Sequence, residues 1–557
     1  MGAAGLLKAL VGRFSDDGIR RLVTMGFSRT EGALQAACDD PRGAQTAQLL
    51  AIVRRNAQTV QGKALGFGAI ASLDDWRARV PLSDWDSVAP LVDRMVAGEH
   101  NVLVDEDPIY YATTSGTTGR RKLIPVTSAF VNECRVANRV LYRTMLLTMP
   151  ALVRGKRLTM RSPGTERLSP TAEAGSITVA LGGGVDDDNL LDAVPTAVFS
   201  VKDFALRYRL ALRFALQERI TVCSAINPST LHLFATTLSE AGADLAAGLD
   251  DGGFGVDVAG LDDDTRRRLQ ARLRKNPAAA RRLRDSASAH GQPRMADVFP
   301  ELAGLVTWKG GASSWWLERL KASYGDVPVL DYGYAASEGC FGAPVSADGA
   351  ASVLLPHGHV IELLPEGETD PTKTVFLDEA EPGAHYEVVV TTSAGLSRYR
   401  MYDVVEVVGR HGRAPLAVFR HKAGTMCSIT GEKLGEAHIA TALSAIGFGG
   451  DGIVLMPRYP TDGSAPGYTA VVEAGGVGDT AAFAAALDTA LQDANEEMRA
   501  KRQSLRLAPV VVQTVPPGAF ADWRRRRVAG GAPDAHVKLP LLSADPALLA
   551  DLGGHHG

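Results

Sequence analysis

Cysteine and uncompensated charge are both scarce in this 557-residue chain, and each shortage closes off a class of protein. The five cysteines, Cys38, Cys134, Cys223, Cys340 and Cys427, are odd in number, scattered and never in a C-x-x-C pair. That pattern disfavours a disulfide framework or a zinc site and suits a reducing cytoplasm, with five isolated small hydrophobes the plainest reading. Lys and Arg number 59 against 63 Asp and Glu, a net charge of −4, so no basic field awaits nucleic acid. No apolar run approaches the roughly 20 residues that span a bilayer, so no membrane partner is expected. The opening MGAAGLLKAL lacks a basic n-region and a long h-region and is not read as a signal peptide. Leu6 stands where an N-myristoylation motif calls for Ser or Thr, which weakens that reading of Gly2. Glycine is plentiful but never recurs every third residue, which rules out collagen.

What remains is a chain that is 45% hydrophobic and 22% charged, ample to bury a core. At roughly 100–200 residues per domain it holds about three or four folding units, or one large domain and a smaller one. Phe14 to Gly66 reads as helices, with Ile19, Leu22, Val23 and Phe27 at helical spacing. This stretch bears a loose likeness to a ubiquitin-associated three-helix module, but a helical cap over residues 1–43 is the plainer reading. Ser83 is a candidate helix N-cap. From Ile109 onward strands alternate with helices: a helix over Asp203–Gln217, a strand over Ile220–Ile226, a helix through Leu231–Leu238, and β-branched strands at Val327–Tyr332, Tyr386–Thr391 and Val404–Val408. The alternation predicts an α/β architecture of mixed sheets and helices. Asp262–Ser286, thick with Arg and Asp, reads as a solvated helical pair, and Arg524–Arg527 as a solvated helix face. A boundary is expected near Arg410–Ala423, dividing a large domain, 44–420, from a small α/β unit, 421–557. That unit is predicted to contain a helix over Glu436–Ala445, strands at Ile453–Pro457, Tyr468–Glu473 and Val510–Val515, and a long helix over Thr480–Met498.

The most informative segment is Tyr111–Lys122, where hydroxylated residues interleave with Gly116 and Gly119 and a cation follows. Glycines let backbone N–H groups approach phosphate oxygens, hydroxyls add donors and Lys122 adds charge. The spacing is not that of a Walker A loop. Elsewhere, His357 and His359 form an H-x-H pair with no second ligand pair spaced for zinc, and no Gly-x-Ser-x-Gly elbow occurs.

Three further motifs follow in order: Tyr334-Ala335-Ala336-Ser337-Glu338-Gly339, then Gly395–Val405 (GLSRYRMYDVV), then Pro517-Gly518-Ala519-Phe520 with His536-Val537-Lys538-Leu539-Pro540. Together with Thr114–Lys122 and Trp308-Lys309-Gly310-Gly311 they resemble the adenylate-forming superfamily. The likeness is nearest to its Gretchen Hagen branch, the auxin-responsive acyl acid amido synthetases, which also has bacterial members. The high Ala, Arg and Gly content fits a GC-rich genome, so a bacterial source is expected.

The resemblance implies a large ATP- and acyl-binding domain with a smaller mobile C-terminal domain that turns about Phe419–Glu436. It implies ATP and Mg²⁺ as cofactors, with a small carboxylic acid and an amine, an amino acid, as substrates of a cytoplasmic monomer. Ser115, Gly116, Thr117, Thr118 and Gly119, with Lys122, would hold the phosphates. Tyr334, Ala336 and Ser337 would frame adenine and the α-phosphate, and Asp403 would accept the ribose hydroxyls. Glu338 would ligate Mg²⁺ and Lys538 would join the α-phosphate to the acyl carboxylate, these two being the catalytic pair. Trp308, Gly310, Gly311 and Ala335 would line the substrate side. Departures stand beside the matches: Tyr402 replaces a usual glycine, Ser397 an aromatic, His536 a glutamine, and Leu541 a common arginine. Two rivals remain, an acyl-CoA ligase with a thiol acceptor and a catalytically degenerate binding protein.

Overall fold

Hydrophobic spacing and caps build an N-terminal layer of three helices, Asp16–Gly26, Ser28–Asp39 and Pro41–Arg55. Ser15 and Asp40 cap the first and third by accepting from the backbone N–H groups of Gly18 and Gly43, and Pro41 occupies the first turn, where its missing N–H costs nothing. The computed structural model describes residues 13–114, 122–161, 166–170, 172–175, 191–310, 314–422, 427, 429, 432, 434–450, 452–460, 464–503, 505, 507–529 and 537–553.

The boundary expected at residue 43 falls inside the helix Pro41–Arg55. Gln45 of that helix is fully buried; its amide donates to the carbonyls of Pro356 (2.6 Å) and His359 (2.8 Å) and accepts from Ile361 N at 2.7 Å. The third helix is thereby stitched to the sheet below. Ser83 is not a cap either. Asp84 caps the helix Trp85–Val96 through a reciprocal box with Ser87. Ser83 instead pairs with a distant segment, its N–H donating to Arg398 O and its carbonyl accepting from Arg400 N, both at 2.9 Å.

Three further layers follow. An all-parallel sheet runs Lys156–Thr159, Ile220–Ser224, Gly304–Val306, Val329–Leu330 in spatial order. Ile220–Ser224 is buried along its whole length, as a strand covered by helices on both faces must be. The helices Phe204–Leu216, Pro228–Asp251 and Pro277–His290 share its core around Leu158, Phe234 and Leu245. The last of these comes from the charged stretch expected to be solvated. One face does meet water, but Ala279, Ala280 and Leu283 are buried.

A seven-stranded antiparallel sheet is ordered Gly342–Ala343, Ser352–Leu354, Ala414–Lys422, Tyr399–His411, His385–Thr391, Val360–Pro365, Val375–Phe376. Where the boundary region is expected to begin, Gly412 and Arg413 form the tight turn between the sheet's two longest strands, with Gly412 at φ +59°. A small four-stranded sheet contains the antiparallel pair Tyr110–Thr114 and Lys122–Val126.

The C-terminal unit has its own core and a three-stranded sheet of Ile453–Arg458, Gly467–Glu473 and Val511–Val515. The single helix expected over Thr480–Met498 is two, Thr480–Ala494 and Glu496–Gln503. Asn495 divides them, its side-chain oxygen accepting from Met498 N at 2.8 Å, and this competition with the backbone is why asparagine stops helices. Among the described residues no helix is long and apolar enough to cross a membrane.

Candidate active site

Open parallel sheets bind ligands beyond the carboxyl ends of their strands. Two strands here deliver Trp308 and Asp331 to that edge. Asp331 accepts N–H bonds from Lys309 (2.8 Å) and Gly333 (2.7 Å), and the Trp308 indole donates to Gly333 O at 2.9 Å. The two strand ends are thus tied into one rim. Burial raises the Asp331 carboxyl to about 6 and lowers the Lys309 ammonium, whose Nζ donates to the carbonyls of Val329 and Ala347. Gly310 comes so close to the strand Ala414–Lys422 that a Cβ would lie 3.0 Å from Phe419 O.

The rim continues into a hairpin, Ala335–Ala336 against Gly339–Cys340, with Ser337 and Glu338 at its two-residue tip. Ser337 Oγ donates to Thr113 O at 3.3 Å, fixing the hairpin to the strand that leads toward Ser115. Behind it, fully buried His359 accepts the Cys340 N–H at 3.2 Å on Nε2, while Nδ1 lies 2.8 Å from Glu133 Oε2. His359 thus serves as a support for the hairpin.

Asp403 reaches the hairpin because its strand bulges. Arg400 pairs with Val389 and Val404 with Glu387, so Met401, Tyr402 and Asp403 stand opposite Val388 alone. Tyr402 takes φ +55°, so the turn survives although glycine, the residue suited to it, is missing. The bulge aims Asp403, which is buried, so that its Oδ2 accepts the Tyr334 hydroxyl at 2.9 Å. Burial first, then the charge of Asp403, pushes the Tyr334 phenol well above its ordinary 10, so it stays a donor.

Glu338 is buried, and its charge adds to the burial that raises both Tyr334 and Tyr399. Lys122 Nζ donates to Tyr399 Oη at 3.0 Å. Tyr399 was not singled out as a site residue in the sequence, although it lies inside the Gly395–Val405 motif. The register places Thr114 opposite Lys122, bringing together the two ends of the Thr114–Lys122 segment. Ser115, Gly116, Thr117, Thr118 and Gly119 lie outside the described residues, as does Gly311.

Lys538 arrives from the C-terminal unit, its Nζ 4.4 Å from the centroid of the Trp308 ring. The segment after it is pinned to its own unit: Leu541 N donates to Glu436 Oε1 at 2.7 Å, and Leu541 O accepts from Leu455 N at 2.8 Å. Burial raises the Glu436 carboxyl, with Lys538 opposing the shift.

This donor set fits a nucleotide carrying a divalent ion. Asp403 and Tyr334 suit hydroxyls, and Lys122 and Lys538 supply two cations. Among the described residues no cluster of three His, Cys, Asp or Glu could hold a metal alone. A single carboxylate such as Glu338 is what Mg²⁺ uses when substrate phosphates and water complete its shell. The site is of a class that sets one buried carboxylate at a hairpin tip beside two lysines, Lys122 on Tyr399 and Lys538 on Trp308.

Comparison with known proteins gives the particular lineage. The GH3 family N-terminal domain matches residues 30–329, the GH3 family central domain 352–422 and the GH3 family C-terminal domain 455–547, so the chain belongs to the GH3 family. An indole-3-acetic acid-amido synthetase of Oryza sativa subsp. indica, GH3.8, is 25% identical over 535 residues, covering 89% of this chain and 87% of its own. The Arabidopsis thaliana indole-3-acetic acid-amido synthetase GH3.3 is 24% identical, over 75% of this chain and 74% of its own. The fold is that of a solved GH3.15 acyl acid amido synthetase, with a TM-score of 0.81 at 19% identity over 93% of this chain and 94% of that one.

Proposed function

We propose that the chain is an ATP-dependent acyl acid amido synthetase. A carboxylate attacks the α-phosphorus of ATP, pyrophosphate leaves, and an amine then attacks the acyl-adenylate carbonyl to give an amide and AMP. Activation is needed because free acid and amine do not condense appreciably in water. The names of the relatives support an amide product, and the amine of this reading is an amino acid. The observation that carries this reading is a continuous run of contacts: Lys538 on Trp308, Trp308 on Gly333, and the adjoining Tyr334 on Asp403.

In this reading Asp403 and Tyr334 orient the ribose, Ser337 and Ala336 border the adenine and α-phosphate, and Ala335, Gly310 and Gly311 leave room for the acid. Ser115, Gly116, Thr117, Thr118, Gly119 and Lys122 hold the leaving phosphates. Mg²⁺ on Glu338 supplies charge neutralisation on those phosphates. Lys538 balances charge where acid and α-phosphate join. Residues 44–420 form the ATP- and acyl-binding domain, and 421–557 the unit that turns to present Lys538. Five buried free thiols support a reducing compartment such as the cytoplasm, and the chain acts as a monomer.

The test is ATP–pyrophosphate exchange across a panel of carboxylic acids, followed by mass spectrometry of products formed with amino acids or with coenzyme A. Amide and AMP are expected. Thioester without amide would overturn the transfer step, and absence of exchange with every acid would overturn the activation step.

A further inference from the structure

The run Arg524–Arg527, read from sequence as a solvated face, behaves otherwise at its first member. Arg524 is half-buried on the helix Ala519–Ala529 and crosses to the parallel-sheet layer. Its guanidinium lies 5.5 Å from the Phe204 ring centroid, and its Nη2 is 3.5 Å from Thr230 Oγ1. The Phe204 ring is a fixed platform: it stands 4.9 Å from buried Tyr208, which stands 5.2 Å from buried Phe234. A second crossing runs the other way, with Arg319 of the large domain 5.9 Å from the Phe448 ring. Arg524 is also mechanically joined to Lys538, because Trp523 and Val537, their chain neighbours, belong to one small core with Phe520 and Val515.

We propose that Arg524 is a positioning residue, a latch that seats the C-terminal unit on Phe204 and so holds Lys538 over Trp308. Its consequence for catalysis rests on the function proposed above. A cation on a ring is strong enough to bias an orientation and weak enough to let it go, so the latch favours the activation half-reaction without forbidding rotation toward transfer.

Full-length R524A is compared with wild type in three measurements: pyrophosphate exchange, single-turnover aminolysis of a synthetic acyl-adenylate, and the distance distribution between spin labels on the helices Pro277–His290 and Thr480–Ala494. Exchange falls about five- to twentyfold, aminolysis is unchanged, and the distances broaden. R524K recovers part of the loss by keeping a cation on the ring. F204L reproduces the loss, and R524A/F204L is no worse than either single variant. Equal loss in both half-reactions, additive losses in the double variant, or an unchanged distance distribution would overturn the latch. A wild-type chain inert in both assays would overturn the proposed function, and the distance measurement alone would then decide the latch.

Discussion

Arg398 and Lys538 are both motif cations, yet the molecule holds them in opposite ways. Arg398 is 1% exposed. Its Nε and Nη2 donate to both oxygens of equally buried Glu362, its Nη1 to the carbonyls of Arg77 and Val80, and its Nη2 also to Pro371 O and Thr374 Oγ1. Lys538 is exposed and rests on the face of an indole. A desolvated guanidinium with every direction used cannot move without stranding several partners. A cation on a ring is released for about 0.5–2 kcal/mol. The first arrangement fixes the strand whose bulge carries Asp403, five residues on. The difference separates a cation locked inside one domain from a cation that meets a ring of the other, even where both residues sit in equally recognisable motifs.

The sharpest way to break this contrast is to delete each cation. Arg398→Ala leaves Glu362 buried and unpaired and should cost about 3–5 kcal/mol in urea denaturation. A loss below about 1 kcal/mol would mean that the network does not fix the strand. Lys538→Ala should behave in reverse. Exchange activity drops about 10²–10³-fold, as when a transition-state donor is removed, while stability changes by less than about 0.5 kcal/mol. A Lys538→Ala protein that unfolds as easily as Arg398→Ala would erase the distinction.

Legibility followed the same division. The strands Tyr386–Thr391 and Ile453–Pro457 and the helices Asp203–Gln217 and Glu436–Ala445 were readable because burial on a sheet or a helix face imposes a short period on the residues. Tyr334, Glu338, Asp403 and Lys538 were readable as motifs, and in the structure Tyr334 meets Asp403 while Lys538 meets Trp308. What the sequence hid are the contacts between residues far apart in it. Gln45 against Ile361, His359 behind the hairpin, Tyr399 under Lys122 and Arg524 on Phe204 have no local period to betray them. Ser83 was misread for a related reason. Either Ser83 or Asp84 can cap locally, and pairing with Arg398 and Arg400 decides between them.

A third cut falls where the two domains meet, at Asp331, which holds the loop bearing Trp308. Folding raises its carboxyl from the usual aspartate range to about 6, so the protonated form is favoured in the folded state. That stability is complete below the unfolded value and is lost as pH climbs through the folded one. Wild type should therefore lose about 2 kcal/mol relative to Asp331→Asn between pH 4.5 and 6.5, read as the gap between urea midpoints. A gap that widens in the opposite direction would mean that the carboxylate is not confined there.

The finest cut is at Tyr402, inside the bulge that separates the fixed Arg398 end of the strand from Asp403. An L-residue at φ +55° is strained by about 1–2 kcal/mol, and part of that is recovered by the Tyr402 ring lying 4.8 Å from the Arg400 guanidinium, itself paired to Glu387. Replacing Tyr402 outright mixes strain with lost packing, so the informative comparison is between two variants that both lack the ring. Tyr402→Gly should be more stable than Tyr402→Ala by about 1 kcal/mol, because only glycine is at ease there. In ordinary extended backbone the order reverses, alanine leading by roughly 0.5–1 kcal/mol. The sign of this small difference in thermal denaturation therefore reports the backbone of the bulge directly, and alanine winning would mean that Asp403 is aimed by something other than a left-handed turn.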